Sequence, residues 1–245
     1  MIRAAVGTWR LLRGLMHLAH GMLIVATRFR GFDAAERARR VQWWSAKLLR
    51  LIGITLQVEG VPRPGAALLV SNHVSWLDIA VIHAACGHAR FVSKADVLRW
   101  PLLGWLIASV GTLFIERERK RDAVRVVHEV AEALGRGETV AVFPEGTTGA
   151  GATVLPFHAN LLQSAISAQA PVQPVALRYH APGERFAVAA QYIDDTTLVE
   201  SAWRVVCARG LSVRLRFVLA EGSRHADRRA LAQHLREQVQ RALDE

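Results

Sequence analysis

Only two of the 245 residues are cysteine. Cys86 and Cys207 have neither metal-ligand spacing nor the dense framework of a small secreted disulfide protein, so a reducing compartment is expected. No Cys/His cluster resembles a zinc site, and the expectation is no metal and no resident cofactor. No charge-free run combines the ~18 residues with the sustained apolarity that would mark a membrane span. A G-x-S-x-G nucleophile elbow is absent, which removes the usual serine-hydrolase chemistry. Internal repeats and low-complexity linkers are absent too. The length then accommodates one α/β domain, or one domain with an appendage. Acid is scarce at the N-terminus. The first fifty residues hold ten Arg or Lys but only Asp33 and Glu36, a surplus of eight out of the whole-chain +10.

A basic N-terminal region suits either nucleic acid or an anionic membrane, and the residues between the charges decide. Here they are aliphatic rather than the aromatic or polar readers of a nucleic-acid surface, so no nucleic acid is expected. Gly14 to Thr27 is interrupted only by His17 and His20, is bounded by Arg10/Arg13 and Arg28/Arg30, and has Trp9 and Phe29 at its ends as interfacial aromatics. Fourteen residues are short for a span. A core helix is one alternative; a helix lying in or partly crossing the membrane interface is the favoured one. Residues 33–52, with Trp43, Trp44, Leu48, Leu49 and Leu51 among basic residues, read as a second helix. Residues 1–53 are therefore expected to form a membrane-docking helical hairpin, and residues 54–245 the main domain.

That second region alternates strand and helix signals. Strands are expected at 54–59, 66–70, 90–93, 111–116, 139–143, 172–179 and 212–219. Helices are expected at 75–86, 102–109, 121–134, 158–169 and 224–243. This pattern argues for an α/β fold, a mostly parallel or mixed sheet covered by helices. In such sheets the loops after the strands carry the chemistry. Trp100 to Ile107 is apolar enough to line an apolar tunnel or to be plain core.

The segment Asn72-His73-Val74-Ser75-Trp76-Leu77-Asp78 follows the apolar strand at 66–70. A neutral imidazole takes a proton from an alcohol near pH 7, its ordinary pKa being about 6.5. A carboxylate behind it fixes the tautomer and stabilises the imidazolium. On a straight helix, positions i and i+5 are rotated by roughly 140° and share no face. His73 must therefore sit in the turn before a helix with Asp78 in its first turn. Ser75-x-x-Asp78 reads as the matching capping box. The bland alternative is a capping acid beside an ordinary loop histidine.

Three further segments stand at strand ends: Gly111 to Arg117, Phe143 to Gly149, and Ala170 to Val175. Taken singly, they read as a solvated charge run, a turn and a strand entrance. Taken together with Asn72 to Asp78, in this order and spacing over roughly residues 55–220, they resemble the glycerolipid acyltransferases. These are the 1-acylglycerol-3-phosphate O-acyltransferases and their relatives, including lyso-ornithine-lipid acyltransferases.

The resemblance implies transfer of a fatty acyl group from a thioester of acyl carrier protein or coenzyme A to a free hydroxyl of a lysolipid. It implies His73 as general base and Asp78 as its orienting carboxylate, with no acyl-enzyme. Glu145, Gly146 and Thr147 are candidates for the substrate and oxyanion turn, since glycine lets backbone approach substrate. Arg117 looks like the family's phosphate or head-group ligand, where a guanidinium fork suits two oxygens. Lys94 is a second cation for the same acidic site. Many lysophosphatidate acylators have Arg where this chain has Thr148, and losing that cation weakens recognition of a phosphomonoester. The acceptor is thus open between lysophosphatidate and other lysolipids such as lyso-ornithine lipid. A non-catalytic lipid-binding protein is the rival class, but pure binding does not require His73 and Asp78 together. The expected location is the cytoplasmic face of the inner (plasma) membrane, against anionic lipids.

Overall fold

The computed structural model describes residues 2–94, 103–109, 111–115 and 120–245, with the side chains of residues 93–94, 103, 114–115 and 120–123 excluded. Arg117 and residues 100–102 lie outside the described residues. Among the described residues, seven strands form one sheet: β1 (Thr55–Glu59), β2 (Ala67–Ser71), β3 (Arg90–Lys94), β4 (Leu113–Ile115), β5 (Thr139–Val142), β6 (Val172–His180) and β7 (Ser212–Phe217). Their order is β1-β7-β6-β2-β5-β3-β4. Every pairing is parallel except β6 with β7. The sheet is therefore mixed, and β2, β5 and β6 bring their C-terminal ends to one edge.

The period-2 alternation of the central strands divides the core into two layers. Leu69, Ala141, Val175, Leu177, Val213 and Leu215 face one layer. It is covered by α2 (Ala34–Leu51), α3 (Asp78–Ala85) and α7 (Leu198–Cys207). Leu68, Val70, Val140, Val142 and Ala176 face the other. That layer is closed by α5 (Lys120–Gly135), α6 (Gln163–Ala168) and α8 (Arg228–Asp244). Both faces of β2 and β5 are buried, which explains why their sequences read as continuous apolar runs.

Several boundaries differ from expectation. α3 begins at Asp78 rather than residue 75, and α6 begins at Gln163 rather than residue 158. α7 is an additional helix, started by the Thr197 side chain accepting the Glu200 N–H. α4 (Leu103–Ser109) overlaps the apolar segment at 100–107, and its Trp105 is exposed.

The N-terminal pair is α1 (Ile2–Thr27) and α2, joined by a short 3-10 turn. Glycines 7, 14 and 21 recur every seven residues and pack against Cys207, Ile52 and Trp44. An added Cβ on Gly21 would lie 2.4 Å from the Trp44 indole nitrogen. His17, buried beside it, donates through Nε2 to the Trp44 carbonyl (3.0 Å), and the Trp44 indole returns a bond to the His17 carbonyl (3.2 Å). Burial pushes the His17 imidazole below its usual range, keeping it neutral. α2 is part of the body of the protein: its Leu49 is fully buried in the core layer beneath α3.

Ile2, Trp9, Met16 and Leu23 recur with the same seven-residue step. They sit about 200° around α1 from the glycines, at 100° per residue. All four are exposed, from 59% to 75%. One face of α1 thus packs on the protein and the opposite face presents apolar side chains outward. No helix among the described residues is long and apolar enough to cross a membrane.

Candidate active site

The site grows from the end of β2. Paired with β6 as far as Ser71, the strand is then released through Asn72. The Asn72 amide donates to the Leu177 carbonyl (2.9 Å) and its Oδ1 accepts the Leu177 N–H (2.8 Å). This side chain satisfies the β6 backbone where β2 leaves the sheet, so the next residue can turn away without orphaning buried groups.

That next residue is His73. Its main chain is held on both sides by the loop after β5: its N–H donates to Glu145 Oε1 (2.8 Å), and its carbonyl accepts the Gly149 N–H (2.8 Å). The imidazole stacks on Phe143 with centroids 4.1 Å apart and planes 11° from parallel. Phe143 in turn stacks on Phe91. Nδ1 meets Asp78 Oδ2 at 2.8 Å. The ring remains 21% exposed while the carboxylate is fully buried. With Nδ1 donating to Asp78, Nε2 on the opposite edge is the basic nitrogen, and it has no hydrogen-bond partner among the described residues.

Asp78 is the first residue of α3, as the five-residue spacing requires. Its Oδ2 also accepts the N–H groups of Val74 (2.7 Å) and Ser75 (3.0 Å). The acid half of the expected capping box is therefore present. The serine half is absent: Ser75 Oγ is buried with no hydrogen-bond partner among the described residues, because the helix starts two residues later than a Ser75 cap would need. Asp78 Oδ1 accepts from the Tyr179 hydroxyl (2.8 Å). The carboxylate thus collects four donors, which offsets the cost of burying it.

The loop after β5 braces this arrangement. Glu145 is buried; besides His73 N–H, its second oxygen accepts the Leu155 N–H (3.0 Å). Burial foremost, and then the nearby Asp78 charge, push the Glu145 carboxyl above its usual range, while the two backbone donors pull it back. Its contacts are with backbone, so it shapes the loop. Gly146 adopts a left-handed conformation (φ +72°), and its N–H donates to the Phe143 carbonyl. A Cβ there would press on His158 at 3.1 Å. Thr147 is exposed. The Thr148 hydroxyl donates to the Tyr192 carbonyl, and Tyr192 N–H donates to the Val74 carbonyl, so this loop and the His73 loop are tied to a common third segment.

Of the sequence-nominated residues, His73, Asp78, Glu145, Gly146, Thr147 and Thr148 come together. Lys94 closes β3, its side chain outside the described residues, and Arg117 lies outside them altogether. The other histidine near the β3 edge, His83, is a core residue. Burial lowers its pKa to about 4, and Nε2 donates to the Ala89 carbonyl. Sequence reading passed over Tyr179 and the bracing roles of Asn72 and Phe143. One signal was available for Tyr179: it is one of only two tyrosines and falls in phase with Leu177 on the core face of β6.

Comparison with known proteins adds the family context. A family model described as Acyltransferase matches residues 54–178. A lyso-ornithine lipid O-acyltransferase of Pseudomonas aeruginosa is 36% identical, over 99% of this chain and 94% of that protein. A 1-acyl-sn-glycerol-3-phosphate acyltransferase of Neisseria meningitidis is also 36% identical, over 93% of this chain and 91% of its own length. The solved structure of the 1-acyl-sn-glycerophosphate acyltransferase of Thermotoga maritima shares the fold, with a TM-score of 0.68 over 96% of both chains at 20% identity.

Proposed function

This chain belongs to the acyltransferase family, and from that premise we propose that it moves a fatty acyl group from a thioester to a free hydroxyl of a lysolipid, with His73 as the base. The observation that carries the reading is the His73–Asp78 pair at the C-terminal end of β2, with Nε2 unpartnered among the described residues. His73 Nε2 takes the proton as the lysolipid oxygen attacks the thioester carbonyl. The C–O bond forms, the C–S bond of the donor breaks, and the imidazolium returns the proton to the departing thiolate. Asp78 holds the ring and stabilises its charged form. Negative charge developing on the thioester oxygen calls for a backbone donor. The amide of the exposed Thr147 is the candidate, since Gly146 N–H is engaged within the turn. Glu145 acts as the brace of the His73 loop.

Arg117, and with it Lys94, remains the proposed cation for an acidic head group, on the strength of the family resemblance. The donor is a thioester of acyl carrier protein or coenzyme A. For the acceptor, Thr148 favours a lysolipid without a phosphomonoester, lyso-ornithine lipid being the example among the relatives. It carries no charge, and its hydroxyl is committed to the Tyr192 carbonyl. The test is acyl transfer by the purified protein, from both thioester classes, to a panel including lysophosphatidate and lyso-ornithine lipid. Transfer to a lysolipid is expected, with Thr148→Arg raising the relative rate on lysophosphatidate. No transfer to any lysolipid would sink the function, and an unchanged preference in Thr148→Arg would remove position 148 from specificity.

The lysolipid is delivered from a bilayer, and residues 1–53 are suited to dock on one at the cytoplasmic face of the inner membrane. The exposed apolar face of α1 is bordered by the basic residues of this region, with Arg13 over the Trp9 ring and Lys47 over Trp43. Basic side chains beside interfacial aromatics fit anionic lipids. Replacing Trp9, Met16 and Leu23 together by Glu spares the glycine face that packs on the protein. Each buried apolar side chain is worth about 1.5–3 kcal/mol, so co-sedimentation with anionic vesicles should drop at least tenfold, roughly. Binding at the level of the unmodified protein would mean that the docking face lies elsewhere.

A further inference from the structure

Asp78 Oδ2 accepts from His73 Nδ1 and two backbone N–H groups, while Oδ1 is held by the hydroxyl of Tyr179 at 2.8 Å. Tyr179 comes from β6, 101 residues away in sequence, and is itself 2% exposed. It stands two positions beyond Leu177, which the Asn72 amide grips, and so on the same core-facing side of the strand. Its own carbonyl accepts the Ala187 N–H, which fixes the backbone that carries the ring. Nothing in the packing of an apolar layer calls for a hydroxyl here; a phenylalanine would fill the space. Among the described residues the hydroxyl has one partner, the carboxylate that orients the base.

We propose that Tyr179 is a positioning residue for acyl transfer, its O–H holding the Asp78 carboxylate so that Oδ2 alone faces His73 Nδ1. This rests on His73 being the base, as proposed above. Burial, reinforced by the Asp78 charge, keeps the phenol well above its usual range, so it is protonated and donates throughout the working pH range. The hydrogen bond does two things. It fixes the rotation of the carboxylate, which otherwise has one free oxygen in a dry site. It also spreads part of the negative charge onto the phenol. Among the described residues, the titratable groups around the carboxylate are His73 from the loop after β2, Glu145 from the loop after β5, and Tyr179 from β6.

In the Tyr179→Phe protein the buried carboxylate loses one donor to its charged form, so the acidic limb of the kcat/KM profile is expected at higher pH than in the unmodified protein.

The experiment is Tyr179→Phe in the full-length protein, with kcat, KM and the pH–rate profile measured beside the melting temperature and beside His73→Ala. Phenylalanine keeps the ring that fills the core. The expected result is kcat down about tenfold or more from the loosened geometry, KM for both substrates within about threefold, and the acidic limb displaced upward. A lower melting temperature with kcat and the pH profile unchanged would assign Tyr179 to packing alone and overturn the proposal. If Tyr179→Phe does not fold, substitution of Tyr179 by 3-fluorotyrosine keeps ring and hydroxyl while altering only the donor acidity. A limb that stays in place in that protein also overturns the proposal. An active His73→Ala protein would remove the base itself and this inference with it. An inactive His73→Ala beside an unaltered Tyr179→Phe would leave the base standing and reject only Tyr179.

Discussion

His73→Ala is expected to reduce acyl transfer by about 10²–10⁴-fold, the range supplied by a positioned general base, without unfolding the protein. The side chain is partly exposed, and its removal leaves the loop's main chain held by Glu145 and Gly149. Those two bonds depend on backbone groups that alanine retains. The loss should fall on kcat, because the imidazole acts on a proton that moves only during reaction. Binding of lysolipid should be nearly unchanged. An alanine protein retaining full kcat would eliminate the dyad as the seat of chemistry. A protein that loses activity and melting temperature together would show that His73 supports the loop through its stack on Phe143.

Asp78→Asn is the second large effect, and it separates charge from shape. The amide oxygen can keep the position that accepts Val74 and Ser75 N–H. The amide nitrogen can then face the Tyr179 oxygen, which serves as acceptor once its O–H turns. The start of α3 should therefore survive. What disappears is the negative charge behind Nδ1 that stabilises the imidazolium, and kcat should fall by roughly 10²–10⁴-fold. Steady-state kinetics with circular dichroism check both halves of the expectation. Unchanged kcat in a folded Asn variant would reduce Asp78 to a helix-capping acid, the bland alternative open at the sequence level.

The two substitutions differ in what they ask of the structure. His73 is the group facing outward, and its deletion costs chemistry alone. Asp78 is buried at the meeting point of α3, the His73 loop and β6, where a non-isosteric change such as Asp78→Ala would strand buried donors at about 1–3 kcal/mol each. That is why the asparagine is the informative variant.

Much of this site was legible in the chain itself. The i, i+5 spacing of His73 and Asp78 demanded a turn followed by a helix start, and the fold has both. The apolar runs at β2 and β5, interrupted by Gly and Pro, marked strands whose ends carry the loops of the site. Alternating strand and helix signals pointed to a sheet covered by helices. Less legible were the short helix starts. α3 and α6 begin later than their apolar patterns do, because tertiary hydrogen bonds and turns occupy the preceding residues. α7 was missed because its amphipathic pattern is only ten residues long. The seven-residue steps of Gly7, Gly14, Gly21 and of Trp9, Met16, Leu23 were present in the sequence, but their division into an inner and an outer face was recognised only once the partners of the glycines were seen.

By itself the sequence determined the local chemistry: which imidazole, which carboxylate, the turn between them, and the basic, apolar N-terminus. Those features depend on neighbours along the chain, where spacing and side-chain type suffice. Only the tertiary structure decided what surrounds the pair. Asn72 gripping Leu177, Glu145 holding His73 N–H, Phe143 beneath the imidazole and Tyr179 on the far carboxylate oxygen each join residues that strand order brings together across the sheet edge. Three of the four donors on the buried Asp78 carboxylate come from residues 73–75, and the fourth, the Tyr179 hydroxyl that satisfies the other oxygen, is supplied only by the fold.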